Sequence, residues 1–108
     1  MQTLCTDLRK AKKDLPSDVA ERLHSLVKIL RHANDLRDID QLRRYHLHPL
    51  KAERSGQFAM DIAGRKSAYR LIVIPEDGDR NRFAEKDVNI IYKATRIIII
   101  WEVSKHYE

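Results

Sequence analysis

Apolar positions along the chain follow two rhythms that change over near Tyr45. Leu4, Leu8, Ala11 and Leu15 recur at helical spacing with Lys and Arg between them. Val19, Leu23, Leu26, Val27 and Leu30 form a second stripe of the same kind. Between the stripes, Asp14-Leu15-Pro16-Ser17-Asp18 offers cap residues and a proline suited to a first helical turn. Two amphipathic helices on so short a link predict an antiparallel hairpin with both stripes facing a core. Residues 34–42 are polar and read as a loop with one short helical turn.

From Tyr45 the period becomes two. Phe58, Met60 and Ile62 alternate with Ala59, Asp61 and Ala63, the pattern of a strand with one face in the core. Residues 63–67 make a turn, and residues 69–74 a second strand, closed by Pro75 and the acidic turn Glu76-Asp77-Gly78-Asp79. Residues 80–94 read as a loop with a helical turn. Residues 96–104 are apolar on both faces, so this last strand is expected to be central and covered on both sides. The expected fold is a single α+β domain over residues 1–108, an amino-terminal helical hairpin packed on an antiparallel sheet of three to four strands.

Composition narrows the function classes. Hydrophobic residues make up 43% and charged residues 34%, which is globular and not disordered. Cys5 is the only cysteine, so neither an intramolecular disulfide nor a multi-cysteine zinc site is possible. No apolar run approaches the roughly 18 residues of a membrane helix, and the start lacks the apolar core of a secretory signal, so a cytoplasmic, non-membrane protein is expected. The net charge is +5, and the segment from Arg43 to Arg70, with seven basic and two acidic residues, carries all of it. Such clustering is a footprint for a polyanion, in competition with an ordinary solvated face.

Glycine-rich phosphate loops, G-x-S-x-G elbows and H-E-x-x-H pairs are all missing. His46 and His48 sit two apart and would share a side of an extended chain, but a metal site needs further ligands, and none is called.

The stretch Leu47-His48-Pro49-Leu50-Lys51-Ala52-Glu53-Arg54-Ser55-Gly56-Gln57-Phe58 resembles the L-H-P-L-K-G-[DE]-R-x-G-x-[WYF] signature of HigB-like toxins in the RelE/ParE superfamily. That family follows it with a strand, a turn and a second strand opening aromatic-Arg-[LI], matched here by Tyr69-Arg70-Leu71. The resemblance implies a RelE-like fold. It also implies a metal- and cofactor-independent endoribonuclease that cuts messenger RNA on the translating ribosome, as the toxin of a type II toxin–antitoxin system. The partner it implies is a helix-turn-helix, HigA-like antitoxin. Cleavage by in-line attack of a ribose 2′-OH needs a proton acceptor, charge on the phosphorane oxygens and a proton donor for the departing 5′ oxygen. Lys and Arg can supply the charge, and His or Tyr can move the protons.

Residue by residue, the resemblance assigns His48 to substrate contact or proton transfer, against a structural role capping a strand edge. It assigns Lys51 and Arg54 to phosphates, with Arg65 and Lys66 of the following turn beside them, against ordinary solvated charges. Arg70 is the strongest candidate, because alternation puts it on the face opposite Tyr69, Leu71 and Val73 with Ile72 and Ile74, where a charge needs a partner or a purpose. A structural ion pair is the competing role.

Where the family closes with Asp-Tyr-His, this chain has Lys105-His106-Tyr107. Both proton-transfer side chains, His106 and Tyr107, are kept in swapped order, and the carboxylate is replaced by an amine. Relatives also begin with a strand, whereas here Met1-Gln2-Thr3 leads almost at once into the first stripe, so the first edge strand is expected to be short or missing. The alternatives are a ParE-like toxin that inhibits DNA gyrase by binding, and a toxin-fold module without catalysis that binds RNA or a protein partner.

Overall fold

The computed structural model describes residues 3–6, 15–64, 68–84 and 86–105. In chain order these give β1 (Thr3–Thr6), α1 (Ser17–His32), α2 (Leu36–Asp40), β2 (His48–Pro49), β3 (Phe58–Asp61), β4 (Tyr69–Glu76), α3 (Val88–Ala94) and β5 (Ile97–Lys105). Single 3-10 turns at Arg43–Tyr45 and Ala52–Arg54 flank β2.

The strands form one five-stranded sheet in the order β1-β5-β4-β3-β2. Four of them, β2 to β5, are mutually antiparallel, and β1 joins β5 in parallel. The class is therefore α+β, as the change of period implies. One expectation is corrected at the amino end. The edge strand is present but short, as one of the two expected outcomes had it, and Leu4 lies within it, paired with Ile98, so the first stripe does not open as a helix. Its four residues are the first to cover β5, whose β-branched run gains most from a partner on each side. Leu8 and Ala11 lie outside the described residues, and Leu15 packs partly buried against the core ahead of α1.

The helix α1 opens just after Pro16, whose carbonyl accepts from the amide of Ala20 at 2.9 Å. Val19, Leu26 and Leu30 are buried on its inner face. They meet Leu36 and Ile39 of α2, Ile91 and Tyr92 of α3, and the sheet residues Met60, Leu71, Val73, Ile98 and Ile100. Each large apolar side chain removed from water there contributes about 1.5–3 kcal/mol. The helices thus cover one face of the sheet. Tyr92 meets Phe58 edge-on at 5.6 Å, and burial, with the Asp40 charge second, pushes its phenol up to about 12.

Pro75 does not end its strand: β4 continues to Glu76, with Pro75 opposite Ile98. The ladder to β3 has already stopped at Phe58 opposite Val73, so Pro75 is paired with β5 alone, where a missing N–H is tolerated, before Glu76 bridges Arg82 on the other side. The third strand is likewise shorter than its alternation, stopping at Asp61 before Gly64, whose φ of +86° turns the chain.

A bulge interrupts β4 and β5. Ile72 faces Glu102 but Val73 faces Ile100, which leaves Trp101 as the extra residue. The consequence is a change of phase. Ile98, Ile100 and Val103 all reach the helix-covered core, although strict alternation would separate Val103 from the other two.

Candidate functional site

The second face of the sheet is built in rows by the register. His48, Ala59, Ile72 and Glu102 stand opposite one another across β2 to β5, and the next row holds Asp61, Arg70 and Ser104. Ala59 and Ile72 are fully buried, yet neither belongs to the core under the helices. Across this floor the guanidinium of Arg54 bonds the carboxylate of Glu102, and its Nε donates to Gln57 Oε1 at 2.9 Å. Glu102 reaches this face only because the bulge shifts the phase of β5.

The histidine pair is local in origin. A 3-10 turn ends at His46, whose φ of 46° puts it in the left-handed region. This turn of the backbone stacks the His46 ring on His48, with centroids 4.4 Å apart and planes at 27°. His48 Nδ1 donates to the His46 carbonyl at 2.7 Å, which leaves Nε2 as the nitrogen free to take a proton. His46 Nδ1 stands 3.9 Å from Asp61 Oδ2, a charge contact when His46 is protonated but too long for a hydrogen bond. Stacked rings do not converge their nitrogens, and among the described residues no group of three His, Cys, Asp or Glu is placed to hold a metal ion.

Arg70 takes the face expected of it, opposite Leu71 and Val73. Its Nε is buried without a hydrogen-bond partner among the described residues, and so is Asp61 Oδ2 on the strand beside it. A donor and an acceptor left unsatisfied in one row is an unusual cost, of about 1–3 kcal/mol each.

The other sequence-derived candidates divide. His48, Arg54 and Arg70 share this face. Lys51 does not: it lines a cavity with Phe58, Pro75 and Ile91 at the margin of the helix-covered side. Arg65, Lys66, His106 and Tyr107 lie outside the described residues. Sequence reasoning passed over Asp61 and Glu102, and it paired His46 with His48 on one side of an extended chain without foreseeing that their rings stack. Asp61 was visible as the one charge in the small-residue phase of its strand; Glu102 was hidden by the bulge, which no sequence pattern marks.

The described charges on this face balance, with Arg54 and Arg70 against Asp61 and Glu102. A comparison of the chain with known families, curated proteins and solved structures finds no match. No helix among the described residues is long and apolar enough to cross a membrane.

Proposed function

We propose that the chain is the toxin of a type II toxin–antitoxin pair, with a RelE-like fold of the HigB-like kind, which cuts messenger RNA on the translating ribosome. The observation that carries the reading is the buried Nε of Arg70, without a hydrogen-bond partner among the described residues, on the same sheet face as His48. A phosphate oxygen is the natural acceptor for such a donor. Sheet geometry puts the two side chains' origins about 10–12 Å apart, two strands and two residues, a span that one nucleotide step can fill.

In this reading His48 Nε2 takes the proton of a ribose 2′-OH as the O2′–P bond forms. Arg70 stabilises the charge on the non-bridging oxygens, and the P–O5′ bond breaks as a proton reaches the departing 5′ oxygen. His106 and Tyr107 are the candidates for that last transfer through the resemblance alone. Arg54 would take a phosphate only by exchanging it for Glu102. The partners are messenger RNA, the ribosome and a helix-turn-helix, HigA-like antitoxin, in the cytoplasm.

The test is induced expression in a bacterial host, wild type beside Arg70→Ala, with transcript 5′ ends mapped. New ends inside translated regions that vanish in the variant are expected, with antitoxin binding retained. Growth arrest without new ends would point to gyrase inhibition instead. One observation favours a second reading, a binding module without catalysis: the carboxylates of Glu102 and Asp61 offset both arginines. Tight RNA binding with neither arrest nor cutting would establish that reading in place of the first.

A further inference from the structure

Where α1 passes the end of β3, the described residues leave a cavity of about 270 Å³. Its wall is Arg22 and Ser25 from α1, Arg44 and Tyr45 from the 3-10 turn after α2, and Ile62 and Gly64 from the end of β3. That volume falls just below the roughly 300–1,000 Å³ of sites that enclose a whole small molecule, so it suits a single chemical group. Arg22 and Ser25 stand three apart and share a side of α1. The Arg44 guanidinium lies over the ring of Tyr45, 4.9 Å from its centroid, and Tyr45 is itself buried. A guanidinium held by a ring face needs no carboxylate, and its fork of N–H donors stays available to an anion. Elsewhere in the described chain, Arg37, Arg54 and Arg80 each stand beside a carboxylate. Arg22 and Arg44 have none among the described residues, and none of the described lining residues is acidic. Two like charges facing one small cavity repel each other, and an anion between them reverses the sign of that contribution.

We infer that this cavity holds one phosphodiester group of a bound RNA strand, on the guanidinium groups of Arg22 and Arg44, with the Ser25 hydroxyl as a third donor. Position favours a strand over a lone phosphate. Tyr45 and Ile62 of the cavity wall adjoin His46 and Asp61 in the chain, and these two meet at 3.9 Å beside the second face of the sheet. Only the end of β3 therefore separates the cavity from the row that holds Asp61 and Arg70. A ligand that meets both Arg70 and this cavity needs phosphates in series, which a strand has and a free phosphate has not. The inference rests on the RNA-binding part of the reading above and is independent of cutting.

The experiment is fluorescence anisotropy of the full chain with a labelled 2′-O-methyl oligoribonucleotide, which cannot be cut through a 2′-OH, at several salt concentrations. Arg22→Gln with Arg44→Gln should weaken binding about tenfold or more. The same pair should lower the slope of log affinity against log salt by about 0.7, the amount for one phosphate of a single strand. Arg44→Lys keeps the charge and loses the planar fork, so it should weaken binding and keep the slope. Lys28→Gln with Arg31→Gln removes the same charge from exposed positions of α1 outside the cavity wall, and should leave the slope unchanged. Both arginines of the wall are exposed, so the variants should fold, which circular dichroism checks. Wild-type binding with an unchanged slope in the Arg22 and Arg44 double variant would overturn the site and leave the RNA reading standing. So would an equal loss in the Lys28 and Arg31 double variant, since charge alone would then suffice, or a fall near 1.4, which would mean two separate phosphates. No RNA binding by the wild type would overturn both the site and the reading, and saturable binding of inorganic phosphate in that case would assign the cavity to a free anion.

Discussion

Asp35 shows how much one side chain can fix. It is buried, accepts the amide of Arg37 at 2.8 Å as the cap of α2, and holds the Arg37 guanidinium through both carboxylate oxygens. The Arg37 hydrogen bond holds its carboxyl below the ordinary 3.8. A depressed folded value means stability that is present above pH 3.8 and lost as the pH falls through the lowered one. Asp35→Asn keeps an acceptor at the cap and loses the charge, so at neutral pH it should cost about 1 kcal/mol, the Arg37 side chain being more than half exposed. Denaturant melts of both proteins from pH 2.5 to 7 should show the gap closing in acid; a constant gap would show that the charge is immaterial. At this scale the sequence was legible where alternation governs, as at Arg70, whose face follows from Leu71 and Val73. It was not legible at His46, because a left-handed residue other than glycine leaves no pattern, and the ring stack follows from that conformation.

The elements were read well where one face is buried and badly where a neighbour decides. In α1 the stripe of Val19, Leu26 and Leu30 is the buried face, because a helix of that period has no other way to hide it. The amino-terminal stripe misled: Leu4 sits at helical spacing from Leu8, yet pairing with β5 outweighs local propensity for the residues of β1. Pro75 misled for the same reason, since whether proline stops a strand depends on which neighbours still need its amide. The central position of β5, between β1 and β4, followed directly from its two apolar faces. Leu71 lies at the middle of this arrangement, fully buried between β3 and β5. Leu71→Ala should cost about 2–5 kcal/mol by removing packed methyl groups and leaving a void. Chemical denaturation gives the number; a loss near zero would mean that the sheet closes over the gap.

For the molecule as a whole, the sequence places an excess of positive charge between Arg43 and Arg70, and the fold distributes it over separate surfaces. Arg54 and Arg70 go to one face of the sheet and Lys51 to the cavity at its margin, while Asp61 and Glu102 stand beside the two arginines. Clustering in sequence therefore does not translate into one uniform basic surface, and only the register shows which charges meet. RNA affinity should fall with salt, and Arg70→Ala should reduce the slope of log affinity against log salt by about 0.7 if Arg70 holds one phosphate of a single strand. Fluorescence anisotropy with a labelled oligoribonucleotide at several salt concentrations measures it, and an unchanged slope would remove Arg70 from the interface. The bulge at Trp101 carries a last consequence, about length. Because the surplus residue sits outside the ladder, the rungs on either side of it are the ones a strand without it would form. A replacement for Trp101 keeps the count and leaves Glu102 above Ile72. Loss of Trp101 alone would join Ile100 directly to Glu102 in plain alternation, with Glu102 still opposite Ile72 and Val103 still inward, so this short stretch should accept many spellings and even the omission of its surplus residue.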